Sequence, residues 1–472
     1  MKDSMTKVLV PAGQLGSGVR ADELRAGLAL GPHAIALDAG STDSGAASLA
    51  TGRSKYSPNA VQRDLELLMA ARAEAGVPLL IGSCGSSGAD MAVDWTLEIV
   101  RDVARAQGRP LRVAMLYSEQ DRSVLRAKAA AGAIRPLAPA AAITDADLDA
   151  CEHIVALMGP EPFIAAVEGG ADIVLAGRTT DTAVLAAVPL MRGAHTGAAW
   201  HAAKVAECGG LCSVNPTSPG VVMSVDDEGF EIAPLSPTNQ CTPYTVSAHM
   251  LYENSDPFRL TEPGGVLDVT QARYAALDER TVRVTGSRWE PAPYTMKLEG
   301  AGAGAFQTIM LVGIEDPSVL ADVDGFVARM AHVLRRRIAR TMGADAAGVD
   351  ISLRPYGWNA VSGLPRAPGT AAPAEIGLLF VATAPTQALA TEAAKTCNPY
   401  FFHLPVQEGK ELPSYAFPFS PAEIERGPVY AFRLNHVVET TSPLELVRTR
   451  WVTLDEAGAQ PKQQQQAAHD PA

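Results

Sequence analysis

The stretch Ala34-Ile35-Ala36-Leu37-Asp38-Ala39-Gly40-Ser41-Thr42-Asp43-Ser44-Gly45 decides the fold. It opens as a continuous apolar run and ends on a carboxylate. A strand covered on both faces reads this way, because neither face can be polar. From Asp38 onward come two carboxylates, three hydroxyls and two glycines, in a loop too long to be only a turn. Working outward, similar runs occur at Val8–Val10, Pro78–Gly82, Leu111–Tyr117, Ile154–Met158 and Ala171–Ala176. Helical patterns lie between them. Ser57-Pro58 is a start signal for a helix reaching about Gly76, with serine at the cap and proline in the first turn. A second helix covers Met91 to Ala106, with Trp95, Ile99, Val100 and Val103 on one face. Repeated β-α-β spacing predicts an α/β domain with a Rossmann-like parallel sheet and flanking helices. Right-handed crossovers would bring the loops that follow the strands to one edge, where ligands usually bind.

From about residue 215 the texture changes. Asn215-Pro216, Ser218-Pro219-Gly220 and Ser236-Pro237 break the alternation, and Val221–Val225 with Phe230–Ile232 reads as a hairpin. Further strands are expected at Thr281–Val284, Phe306–Val312, Val349–Leu353, Ile376–Ala382 and Val429–Asn435, and helices at Val319–Thr341 and Thr386–Thr396. The division expected is an α/β domain over 1–214 with glycine-rich strand-end loops, an α+β domain over 215–455, and a disordered glutamine-rich tail over 456–472.

The 472 residues exceed one ordinary core, and 47% hydrophobic with 19% charged residues is globular composition. A formal net charge of −13 argues against nucleic acid as a partner. No apolar run reaches the roughly 20 residues that span a bilayer, and no signal peptide is visible, so a cytoplasmic protein without membrane contact is expected. Six scattered cysteines, none in a CxxC pair, are then read as reduced thiols. Cys208 and Cys212 are four apart, but no second pair at zinc-site spacing follows them.

Four loops carry residue types suited to ligand chemistry. Gly13, Gly16 and Gly18 follow the first strand and precede a helix, where backbone N–H groups could hold a phosphate or carboxylate; a tight strand-to-helix turn is the other reading. Ser41, Thr42 and Asp43 follow the second strand. Ser83, Cys84 and Asp90 follow the third, with Asp90 read as a proton-transfer group or as a helix cap. Cys84 has no histidine beside it in sequence to make it a nucleophile. Arg178, Thr179 and Asp181 follow the sixth; the Arg178 fork suits a carboxylate or phosphate, or else pairs with Asp181 and closes the loop. Beyond these, His249 and Glu253 are four apart. On a helix they would share a face, as acid and base, as metal ligands, or as a hydrogen-bonded pair orienting the loop. The aromatic run Tyr400-Phe401-Phe402 is read as core or interface.

Several short motifs, taken in order, resemble the acyclic terpene utilisation protein AtuA family. They include Asp38–Gly45, Thr51-Gly52-Arg53-Ser54, Arg63-Asp64-Leu65-Glu66, Asp94-Trp95-Thr96, Tyr117-Ser118-Glu119-Gln120 and Met158-Gly159-Pro160-Glu161. The resemblance continues through Gly177–Thr182, Trp200–Lys204, Glu207-Cys208-Gly209, His249–Glu253 and Glu262-Pro263-Gly264-Gly265 to Asn435–Glu439. It covers about residues 8 to 450. The first loop has less glycine than in many relatives, with Val10-Pro11-Ala12 before Gly13, and the ferredoxin-like C-terminal domain of some relatives is expected to be absent or supplied by another chain. The resemblance implies catabolism of branched or acyclic carboxylic acids, with coenzyme A thioesters as one form of substrate, but no known reaction and no catalytic residues.

The reading drawn from these residues is a lyase, hydratase or isomerase acting on a carboxylate or acyl-CoA. Gly13, Gly16, Gly18, Ser41, Thr42, Ser83, Arg178, Thr179 and Asp181 would bind substrate, and Asp43, Asp90, His249 and Glu253 would move protons. A divalent metal held by some of Asp38, Asp43, Asp90, Asp181, His249 and Glu253 is compatible with oxygen and imidazole donors. The alternatives are a non-catalytic subunit of an acyl-CoA-processing assembly and, more weakly, a dinucleotide-dependent oxidoreductase using Asp38. A homo-oligomer or a partner subunit is expected.

Overall fold

The computed structural model describes residues 5–40, 42, 45–367, 369–406, 409 and 411–455; the tail expected over 456–472 lies outside them. The architecture is mixed α/β, 34% helix and 30% strand. The chain forms two compact units, one made of Met1–Gly302 with the segment from Phe432 onward, the other of Ala303–Ala431.

The first unit is built on a ten-stranded sheet. Its centre runs Thr6–Val10, Ala34–Gly40, Leu79–Ser86, Ile173–Ala176, Leu111–Tyr117, all parallel. These are five of the six early apolar runs, and every residue of Leu79–Ser86 is buried. The alternation of side chains explains why. Leu9, Ile35, Leu37, Leu79, Ile81, Val113 and Leu175 pack on one face beneath helices Pro58–Ala75 and Asp90–Gln107. Val8, Val10, Ala34, Ala36, Leu80, Ala114 and Val174 pack on the other, against Asp181–Met191 and Thr196–Ala206. Ser57 caps the first of these helices as its sequence predicts, its side chain accepting from Ala60 N at 3.3 Å.

The remaining strands of this sheet are antiparallel additions. The hairpin Val221–Val225 and Gly229–Pro234 pairs back onto Thr6–Val10, and Arg448–Leu454 pairs with Leu111–Tyr117. The change of texture near residue 215 is therefore a change from parallel to antiparallel strands within one sheet. The remaining run, Ile154–Met158, forms a strand, His153–Ala156, but it pairs antiparallel with Leu298–Ala301 instead of joining the parallel set. The edge beside Leu111–Tyr117 is taken by Arg448–Leu454.

In the second unit, Asp350–Tyr356, Ile376–Ala384 and the part of Thr295–Ile314 from Phe306 on pair antiparallel. Helices Val323–Met342 and Gln387–Phe401 supply the apolar residues that cover one face. The helix expected from Val319 is interrupted: Asp322 caps Val323–Met342, accepting from Gly325 N at 3.0 Å. Phe401 and Phe402 are core residues of this unit, while Tyr400 is exposed beside Arg337.

Candidate active site

Within the first unit, the loops leaving the carboxyl ends of the parallel strands surround a cleft of about 450 Å³. This is where the twisted parallel sheet places open chain ends and free backbone groups. Arg178 lies at its floor, 7% exposed. Its Nε donates to Glu299 Oε2 at 2.9 Å and its Nη1 to Ser83 Oγ at 3.3 Å, with Asp181 Oδ1 3.6 Å from Nη1. Burial opposes the guanidinium charge, but Glu299, Asp181 and Asp38 together hold it firmly protonated. Burial likewise opposes charge on Glu299, yet Arg178 and Lys297 hold its carboxyl below the usual carboxylate range.

Asp38 stands two residues before the end of the second parallel strand, beside this cation. Its Oδ2 accepts from Gly40 N at 2.6 Å, while Oδ1 is buried without a partner among the described residues. Burial and the nearby Asp181 outweigh Arg178 and push its pKa up to about 7. Only glycine fits at position 40: a Cβ there would lie 2.5 Å from Arg178 Nη1 and 2.6 Å from Asp38 Oδ2. Ser83 has a left-handed backbone, φ 45°, in a fully buried position, a strained conformation of the kind that collects at functional sites. Glu262 approaches from a separate small sheet, accepting from Thr182 Oγ1 at 2.8 Å. Burial pushes its pKa up to about 7 as well.

A second wall is made by Glu207 and Cys208. They follow helix Thr196–Ala206, which is buried from Gly197 through Ala206. Lys204 and Glu207 form a buried ion pair there. Burial opposes the ammonium, but Glu207 and Glu262 keep Lys204 protonated. Tyr252 and Glu253 complete this side, and Tyr252 stacks on the buried His249 ring with centroids 5.6 Å apart. Burial, with Lys204 adding to it, pushes His249 down to about 4, so its ring is neutral at ordinary pH.

Of the residues singled out by sequence, Gly13, Gly18, Thr42, Arg178, Asp181 and Glu253 line this cleft, and Ser83 supports Arg178. Thr179 is buried behind, donating to Met158 O at 2.8 Å. Ser41 and Asp43 lie outside the described residues. Asp90 is not on the cleft lining; it opens its helix, exchanges hydrogen bonds with Glu119 and accepts from Arg448. His249 and Glu253 do not share a helical face, because the helix Pro243–His249 ends at His249 and Glu253 has a left-handed φ of 56°. Asn254 Nδ2 donates to Met250 O at 2.8 Å just past the helix end. Cys84 is fully buried with its thiol pushed up to about 12 by burial, which suits packing and not nucleophilic attack.

The first glycine loop binds an anion of its own. Gly16 and Gly18 adopt left-handed φ values of 91° and 108°. Their N–H groups donate to Asp64 Oδ2 at 2.8 and 3.3 Å, and Val19 N donates to Oδ1 at 2.7 Å. The loop's nest is thus filled by a buried carboxylate from helix Pro58–Ala75. Asp64→Ala would strand three N–H groups, with an expected loss of about 2 kcal/mol in urea denaturation. Asp64→Asn, which keeps one acceptor, should lose less. Equal stability of all three proteins would show that water replaces the carboxylate without cost.

Residues 38–409 match the acyclic terpene utilisation family protein AtuA. The chain belongs to this family. Searches of curated proteins and of solved structures found no match. The AtuA-family match spans the loops after the second to fifth parallel strands as well as Glu207, Cys208 and His249. Sequence reasoning did not place Glu207, Glu262 or Glu299 at the site. The signal for Glu207 was present: Lys204 and Glu207 are the charged residues of an otherwise apolar helical run, and charges in such a run must be paired or functional. Glu299 gave no local signal, since it stands on a glycine- and alanine-rich strand far along the chain.

Proposed function

We propose that this AtuA-family protein is an enzyme of lyase, hydratase or isomerase type that moves a proton on a small acyclic carboxylate or its acyl-CoA ester. The observation that carries the reading is Asp38: a buried cleft carboxyl with one oxygen unpartnered among the described residues and a pKa lifted to about 7. A general base or acid works best with its pKa near the operating pH, and such values collect at active sites. In this reading Asp38 takes or returns the proton, and Arg178 and Ser83 fix its position. Glu262 is a second group able to hold a proton at neutral pH. Arg178 already carries Glu299 and Asp181, so it acts first as the counter-charge of the site and only through its cleft-facing side as a clamp for a substrate carboxylate. Family membership supports a substrate from acyclic terpene utilisation.

An exposed aromatic patch at 400–402 would have favoured the alternative reading as a non-catalytic subunit; Phe401 and Phe402 are buried, so the patch does not add to that reading. The test of the enzyme reading is hydrogen exchange. The protein is incubated in D₂O with a panel of branched acyl-CoA esters and matched free acids, and loss of the α- and β-proton NMR signals is followed. Catalysed exchange in one ligand class is expected. No exchange in any, together with no thermal stabilisation by any, would overturn the proposal.

A further inference from the structure

We infer that Glu207, Cys208 and His249 form a binding site for a single divalent metal ion of the zinc class in the wall of the cleft. One ligand atom from each of the three lies within 4.8 Å of the other two. The group is not an accident of surface acids: Glu207 and His249 are buried and Cys208 is partly so. His249 is the second, independent sign. It is 5% exposed, and its Nε2 is buried with no hydrogen-bond partner among the described residues. A ring nitrogen left so loses the hydrogen bond it had in water, about 1–3 kcal/mol, unless something coordinates it. The neutral imidazole has a lone pair for a metal.

The donor set selects the ion. Thiolate sulfur, imidazole nitrogen and carboxylate oxygen together suit zinc, whereas magnesium and calcium take oxygen donors. Metal–ligand bonds of about 2.0–2.3 Å give tetrahedral edges of roughly 3.3–3.8 Å. The 4.8 Å bound therefore asks for an inward rotation of side chains, with no change of fold. The backbone is held for this. Cys208 lies between helix Thr196–Ala206 and the short turn Gly209–Cys212. His249 closes a helix whose start is fixed by a Thr242/Thr245 capping box. Lys204 sits on Glu207 Oε1 and leaves Oε2 for coordination. The repulsion between Lys204 and an ion is offset by Asp181 and Glu253, whose charges reach the adjacent Cys208. On binding, the S–H bond of Cys208 breaks, sulfur keeps the electron pair and bonds to the metal, and one proton goes to solvent. Three protein ligands leave a fourth position, and with Glu207 and Cys208 on the cleft lining it is open to water or substrate, as in catalytic zinc sites. The inference does not depend on the role given to Asp38.

Cobalt(II) alone is the probe, added to the full chain after chelator treatment. The expected result is one Co²⁺ per chain with a thiolate-to-cobalt charge-transfer absorption, and displacement of that absorption by Zn²⁺. Cys208→Ser should abolish the band. His249→Gln should weaken Co²⁺ binding at least about tenfold, in line with the sensitivity of metal sites to lost ligand support. Cys212→Ser should keep both band and affinity, because the Cys212 thiol turns to Gly209 O. Circular dichroism establishes that each variant is folded, and His249→Gln decides the matter if Cys208→Ser is not. No charge-transfer band in the wild-type protein, a band that survives Cys208→Ser, or unchanged affinity in His249→Gln would each overturn the site. None of these results would touch proton exchange in D₂O, which tests the enzyme reading separately.

Discussion

Arg178→Ala is expected to destabilise the protein by about 3–5 kcal/mol, and the double variant Arg178→Ala/Glu299→Gln by clearly less than the sum of the two single changes. The reason is the charge left behind. Arg178 is 7% exposed and faces Glu299 at 2.9 Å, Asp181 at 3.6 Å and the buried Asp38. Removing the guanidinium takes its charge from the buried Asp38 and leaves Glu299 with Lys297, 3.4 Å from Oε1, and a buried carboxylate that loses its main partner costs more than the pair was worth. The penalty should depend on pH. Arg178 holds the Glu299 pKa below its unfolded value, so this pair contributes stability above the unfolded carboxylate pKa and loses it as pH falls through the lower folded value. The Arg178→Ala deficit should therefore shrink on going from about pH 8 to about pH 4, where the abandoned carboxyls can protonate. Urea midpoints for the four proteins at the two pH values measure this. Additive single changes, or a deficit that does not move with pH, would mean that solvent reaches the floor and screens these charges.

The same residues show what a sequence can and cannot reveal. The strands were legible because burial on both faces removes polar residues from them: Leu111–Tyr117 stands as read, and Ala34–Gly40 extends the run by two residues. The edge of the sheet that carries the site was legible too, because parallel connections fix where the glycine- and hydroxyl-rich loops must go. What those loops touch was not. Nothing near Gly16 and Gly18 says that Asp64, some 45 residues on, would fill their amide nest. Nothing near Arg178 says that Glu299 would neutralise it, because that contact closes 121 residues of chain. The His249–Glu253 spacing reads as a helical face only if the helix continues, and it ends at His249. The antiparallel additions after residue 215 alternate more weakly and were read as a separate domain texture, although they pair with the first strand of the chain. Local pattern thus carries the elements, and long-range pairing of charges carries the site.

Asp38→Asn should cut catalysed proton exchange by about 10²–10⁴-fold while leaving ligand-induced stabilisation in place, since asparagine keeps the shape and one acceptor but cannot take a proton. The variant can be checked before any substrate is known, because the raised pKa is also a statement about folding. Asp38 has a folded pKa of about 7, above its unfolded value of roughly 3.9. Its contribution is therefore fully present below the unfolded value and is lost as pH rises towards the folded one: between about pH 4 and pH 7 the folded state must keep a proton that the unfolded chain releases. Wild-type protein should lose stability relative to Asp38→Asn across that window, by up to a few kcal/mol for a shift of about three units, and the difference should level off above about pH 7. Arg178, Asp181, Ser83 and Gly40 are the groups that face the carboxyl, so the same comparison in an Arg178→Lys background asks whether the geometry of the cation, and not its charge alone, sets the value. If the wild-type and Asp38→Asn curves run parallel from pH 4 to pH 8, Asp38 ionises in the ordinary range. It would then be a fixed anion paired with Arg178, and proton transfer would have to fall to Glu262, the other carboxyl lifted to about 7.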